Sequence, residues 1–362
     1  MATMTFSQAG SPAFNQRIGE ILDNLAQEVK KELPSHFIAL VLAGGYGRGE
    51  GACVIRHGEE SLYNDLDLFL IVDTPMAVPE SIHSITRGYE KQLGIEVDIG
   101  KPLTLKDIKS FPHQLMWQDL LDGHFVVLGD SDILTRNAPA YLTSPLPQVE
   151  ALRLLLNRGS GLLQALMQSH LLSANAQHNL PDADFIRRNR AKCMLALGDS
   201  LLISYGVYIS PLAKRTLALH EHAKEMSIPA MDRIQHLFEE AARFKVRPDS
   251  LPTEQPSQPL LMEIAEQWVE VLMHTEARRT NRQWPSPQAY AHDLFIREPE
   301  QHTAKRLLRN VLRNAQNKRF SFHYPRERLY RQLARLLDQP HPEQTAWMRE
   351  AQAFLSVWRQ YN

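Results

Sequence analysis

Apolar positions follow two regimes along this chain. Up to about residue 130, short apolar runs alternate with helical spacings; beyond about residue 150, helical spacing takes over. Phe14 to Leu33 carries Ile18, Ile21, Leu22, Leu25 and Val29 at helical intervals, and Pro34 stops it. Phe37 to Ala43 is a continuous apolar run of strand length, Leu66 to Val72 is a second apolar run broken by Asp67, Ile95 to Ile99 alternates as a third strand, and Phe125 to Gly129 makes a fourth. Between them, Ser81 to Leu93 reads as a helix stopped by Gly94, and Leu103 to Leu121 as mostly helical with a break at Pro112.

After the proline-punctuated stretch Tyr141 to Gln148, helices are predicted over Glu150 to Leu172, Asp184 to Tyr205, Pro229 to Phe244, Leu260 to Arg282, Pro299 to Gln316, Glu327 to Leu337 and Glu343 to Tyr361. A second linker, Val246 to Pro259, is rich in proline and poor in apolar residues. The expected fold is therefore α+β. A small mixed β-sheet domain over residues 1–145 is followed by a mostly α-helical bundle over 146–362, with a subdivision near 246–259.

Length supports the split, since 362 residues exceed what one core usually serves. Two cysteines, Cys53 and Cys193, exclude a disulfide framework and a four-ligand zinc site. The opening residues lack a basic and apolar leader pattern, and no run approaches the roughly 18 apolar residues of a membrane span, so a cytoplasmic protein without membrane contact is expected. The net charge of −1 conceals an asymmetry: Glu270 to Asn362 holds sixteen Lys/Arg against nine Asp/Glu. That excess is either a solvated helical surface or a footprint for an anionic partner such as RNA.

The candidate chemistry lies between the first two strands. The run Phe37 to Ala43 breaks into Gly44-Gly45-Tyr46-Gly47-Arg48-Gly49-Glu50-Gly51, and the next strand opens with Asp65 and Asp67. Residues i and i+2 of a strand share a face, so the two carboxylates stand together. Asp98, between Val97 and Ile99, puts a third on another strand. Like charges so close call for a cation, and an all-oxygen set suits magnesium completed by substrate phosphates. Glycines let backbone N–H groups approach a phosphate, and Arg48 offers a guanidinium fork.

Gly44-Gly45, Asp65-Leu66-Asp67 and Asp98 resemble the nucleotidyltransferase superfamily of DNA polymerase β type. The glycine loop is similar to that of the bacterial uridylyltransferase of the nitrogen-regulatory signal protein. The likeness spans residues 37–100, with an insertion around Cys53 to Tyr63 and without the further domains of that uridylyltransferase. It implies transfer of a nucleoside monophosphate from a nucleoside triphosphate to a hydroxyl-bearing acceptor, a small molecule or protein, using two magnesium ions. Asp65 and Asp67 would hold both ions. Asp98, with Glu96 as its rival, would hold one and take the acceptor's proton. Gly44, Gly45 and Arg48 would cradle the phosphates, while Glu50 pairs with Arg48 or a backbone amide.

In the helical half, Lys192 and Asp199 lie two helical turns apart on one face and are candidate nucleotide contacts, the other reading being an exposed lysine and a solvated aspartate. Asn157 is a candidate cleft residue, and Gly198 marks a close approach to its helix. Two rival functions stand beside transfer to a small molecule or protein: an RNA-modifying enzyme using the basic C-terminal region, and a catalytically silent nucleotide-binding regulator. In Arg306, Arg309, Arg313, Lys318 and Arg319, interleaved with Leu307, Leu308, Val311 and Leu312, the pattern is that of an amphipathic surface helix.

Overall fold

The computed structural model describes residues 4–174, 183–250, 258–316 and 321–361. It is a mixed α+β protein with a small mixed sheet in the N-terminal region and a mostly helical C-terminal region. Among the described residues no helix is long and apolar enough to cross a membrane.

The chain forms two compact units. The first comprises Met1–Leu146, Tyr208–Leu217 and Ala242–Thr253, and the second comprises Pro147–Val207, Ala218–Ala241 and Glu254–Asn362. Two later segments, Tyr208–Leu217 and Ala242–Thr253, thus group with the sheet. The Leu212 backbone N–H and the Lys245 side chain, one from each segment, meet the buried Glu50 carboxylate, as described below.

The first unit opens with α1 (Pro12–Glu32), capped by the Ser11 side chain, which accepts from the Phe14 N–H. β1 (Phe37–Leu42) leads into a single helical turn, α2 (Gly44–Gly47). The insertion expected around Cys53 to Tyr63 is a hairpin of β2 (Cys53–Arg56) and β3 (Glu59–Leu62). Its two-residue turn, His57-Gly58, has both φ angles positive, the conformation that matches strand twist in tight hairpins. β4 (Leu66–Val72), α3 (Glu80–Leu93) and β5 (Val97–Ile99) follow. The helical stretch expected from Leu103 with a break at Pro112 is α4 (Leu105–Ile108) and α5 (Leu115–Asp122), preceded by the short strand β6 (Leu103–Thr104), and β7 (Phe125–Leu128) and α6 (Ile133–Asn137) complete the layer. A Thr104–Asp107 capping box starts α4.

The sheet order is β5-β4-β1-β7, with β6 also on β4. β1 runs antiparallel to β4 and β7, whereas β5 and β6 are parallel to β4. Alternation along β4 sorts its side chains. Leu66, Leu68 and Leu70 join a core with Ile18, Leu22, Leu25 and Ile82 of α1 and α3. Ile71 joins Ala39 and Val41 of β1 on the other face, under Ile108, Leu120 and Ile133. That second cover reaches only the Ile71 end of β4 and leaves its opening residues without an apolar lid.

In the second unit, α7 (Val149–Ala174), α8 (Ala183–Ser204) and α12 (Gln258–Thr280) pack together. Gly159 makes room for the Trp268 ring, whose indole N–H donates to the Leu155 carbonyl at 2.9 Å. The close approach expected at Gly198 is a helix neighbour: Phe238 sits where a Cβ would stand. Phe238 belongs to α11 (Met231–Val246), which follows α9 (Leu212–Glu221) and α10 (Ala223–Met226). The C-terminal helices are α13 (Pro287–His292), α14 (Ala304–Gln316), α15 (Arg326–Asp338) and α16 (Thr345–Trp358).

Candidate active site

β1 delivers the chain to Ala43, whose N–H donates to the Asp67 carbonyl at 2.8 Å. Gly44 then turns into the left-handed region, at φ +64°. A Cβ there would stand 2.1 Å from Asp67 Oδ2. The glycine is required twice, by its backbone angle and by the carboxylate seated on its Cα. Gly45 has ordinary surroundings: the nearest atom to where its Cβ would stand is the Glu50 carbonyl oxygen, 3.4 Å away.

Tyr46 anchors the loop from inside. It is 1% exposed, its hydroxyl donates to the Ala52 carbonyl at 2.6 Å, and it accepts the Tyr63 N–H at 3.0 Å. Burial pushes its phenol well above the ordinary value, so it serves as a neutral strut. Gly51 is small because the Tyr46 ring fills its side-chain space.

Asp67 and Asp98 are direct register partners on the parallel strands β4 and β5. Strand spacing places neighbouring backbones about 4.8 Å apart, and like charges so placed repel. Both face away from the core that buries Leu66, Leu68, Val97 and Ile99. Asp65 stands just before β4; it and Asp98 are exposed, and Asp67 is partly covered. Glu96, the rival for Asp98, lies ahead of β5, and its carbonyl accepts the Leu66 N–H at 3.0 Å. The register therefore places Asp98, not Glu96, beside Asp67.

The expected three-carboxylate cage is not preformed: among the described residues no three His, Cys, Asp or Glu side chains converge as a metal-holding group. The donor set still fits magnesium, which takes few protein carboxylates and completes its shell with water and substrate phosphate.

Arg48 has a partner within the loop. Its Nε lies 3.4 Å from Glu50 Oε2, and its stem packs on Gly123. Glu50 is 7% exposed, accepts the Leu212 N–H at 2.5 Å, and lies 3.3 Å from Lys245 Nζ. Burial alone would raise its pKa, but Lys245, the Leu212 amide, Arg48 and Arg215 outweigh that and hold the carboxyl below its ordinary value. Leu212 and Lys245 lie more than 160 positions along the chain from Glu50, and no local pattern could have marked them.

Lys192 and Asp199 lie on α8 of the second unit, apart in environment if not in helical phase. Lys192 is exposed and Asp199 is 6% exposed. The reason is that α8 is buried on all sides from Ala196 to Ser204, so depth changes along the helix as well as around it. Asn157 is half-buried on α7.

Compared with family models, curated proteins and solved structures, the chain matches none. The likeness to nucleotidyltransferases rests on the residues themselves.

Proposed function

We propose that the first unit transfers a nucleoside monophosphate from a nucleoside triphosphate to a hydroxyl-bearing acceptor, a small molecule or a protein side chain. The observation that supports this reading best is the Asp67 carboxylate seated on Gly44, with Asp98 beside it in register. A glycine turn that accepts phosphate oxygens and a carboxylate pair that attracts their counterions are thereby joined in one edge.

Asp65, Asp67 and Asp98 are the residues that would hold magnesium, which when bound neutralises charge on the triphosphate. The new bond joins the acceptor oxygen to the α-phosphorus, the α–β phosphoanhydride bond breaks, and pyrophosphate leaves. The acceptor's proton goes to a carboxylate oxygen of Asp98. Gly44 and Gly45 orient the phosphates through their amides.

The test is to incubate the protein with each α-labelled nucleoside triphosphate, magnesium and cell extract. Label should move to an acceptor from at least one nucleotide. Asp98→Asn, lacking the proton acceptor, should lower transfer by about 10²–10⁴-fold. Asp67→Asn should abolish it with an unchanged circular dichroism spectrum. No labelled product from any nucleotide, or undiminished transfer by Asp67→Asn, would refute the proposal.

A further inference from the structure

A cavity of about 470 Å³ opens at the far end of the glycine loop in sequence. Its volume falls in the roughly 300–1,000 Å³ range of small-molecule sites. Its polar walls are Gln8, Arg48, Glu50, Thr216, Arg243 and Arg247, all of the first unit. Leu212 and Val246 add apolar wall. None of Asp65, Asp67, Asp98, Gly44 or Gly45 lines it.

Its charge is lopsided. Arg48, Arg243 and Arg247 line the cavity, and Lys245 and Arg215 act on Glu50 from behind. Glu50 acts on Lys245, Arg48 and Arg215, and Glu60 of the hairpin acts on Arg247. Glu50 is already divided among Lys245, Arg48 and the Leu212 amide, and Arg247 also donates to the Ala9 carbonyl. Arg243 is exposed on α11 at the cavity mouth. Cations gathered in a partly enclosed space raise the local concentration of anions. Guanidinium groups favour tetrahedral oxyanions, which accept paired N–H donors.

We propose that this cavity binds a phosphate-bearing small molecule without metal, at a site separate from the nucleotide edge. The phosphate meets Arg243, Arg247 and Arg48, and the remaining skeleton lies along Leu212 and Val246. Because Arg48 and Glu50 belong to the loop whose first glycine supports Asp67, occupancy competes with Glu50 for Arg48 and so reaches the loop. The proposal goes beyond nucleotidyl transfer and does not depend on it.

The probe is inorganic pyrophosphate, titrated calorimetrically into the full chain in the presence of EDTA. Wild type, Arg243→Ala and Asp67→Asn are compared, with melting curves to check folding. The expected result is binding by wild type, equal binding by Asp67→Asn, and about 10-fold or more weakening by Arg243→Ala. Absence of binding up to millimolar pyrophosphate, or equal binding by Arg243→Ala, would overturn it. So would binding that appears only when magnesium replaces the EDTA and disappears in Asp67→Asn, since the cavity would then be the tail of the nucleotide edge. Binding that meets the expectation in a protein that transfers no nucleotide would leave this site standing and refute the transfer proposal alone.

Discussion

Two adjacent glycines of one loop separate cleanly at the level of single residues. Gly44→Ala must relieve both a left-handed backbone and the Asp67 carboxylate 2.1 Å from the new methyl. The backbone term alone is roughly 1–2 kcal/mol, and the collision shifts Asp67, so transfer should fall with stability. Gly45→Ala meets only ordinary contact and should cost less than about 1 kcal/mol. Denaturant melts and transfer assays on the two variants check this; equal effects would remove Gly44 from its special place. Glu50 gives a second prediction. Its folded pKa lies below the ordinary 4.5, so its ionised form stabilises the fold above about pH 4.5 and that contribution is lost as pH falls through the folded value. Glu50→Gln should cost on the order of 3 kcal/mol at neutral pH by leaving Lys245 and Arg48 without their carboxylate. The gap between the two proteins' melting temperatures should narrow as pH drops below about 4.5; a gap constant from pH 7 to 3 would exclude the charged network.

Among elements, α14 departs most from its sequence pattern. The alternation of arginine and leucine predicts buried leucines, yet Leu308 is 68% exposed and Leu312 59%. The buried positions are Asn310 and Asn314. Asn310 donates to the Gln301 carbonyl at 3.0 Å, and Asn314 to the Ser321 and His323 carbonyls at 2.9 and 2.8 Å. Facing inward, the two asparagines tie the helix to these loop carbonyls through partly buried hydrogen bonds. Asn314→Leu, which strengthens the amphipathic pattern, should therefore destabilise by about 1–3 kcal/mol, read from urea midpoints. A stabilised variant would show that the apolar direction governs. The hairpin β2–β3 is the converse case. Its turn signal, His57-Gly58 between short alternating segments, was present in the sequence, but Arg56, Glu59 and Glu60 make the strands too polar for an apolar run to mark them. β4 and β1 were legible because each is buried across most of its length.

Over the whole molecule, the basic C-terminal region is partly consumed from within. Arg279 holds Glu276 at 2.6 Å, and Arg297 is 1% exposed, donating to the Tyr290 hydroxyl at 3.0 Å. Arg306 and Arg313 are half-buried, Arg309 is exposed, and Lys318 and Arg319 lie outside the described residues. The exposed arginines Arg282, Arg309, Arg335, Arg349 and Arg359 are spread over several elements, and no described helix gathers them into one phosphate-tracking row. Transfer RNA binding should accordingly be weak at physiological salt, with a shallow slope against salt concentration. Affinity across a salt series, with an Arg306/Arg309/Arg313 triple alanine variant, measures this. Tight binding that the triple variant loses would favour the RNA-modifying alternative.

By itself the sequence determined the α+β class, most element positions before residue 130, and the succession of a glycine turn and a strand carrying Asp67 near its start. These are local properties: alternation, helical period and the i, i+2 geometry of a strand act over a few residues. Tertiary structure alone decided three things. It set the register that stands Asp98 beside Asp67, returned residues 208–217 and 242–253 to the sheet unit, and buried Glu50 among cations nearly 200 positions away. Strand register and burial depend on which distant groups fill the same space, and a buried carboxylate takes whichever partners the fold brings to it.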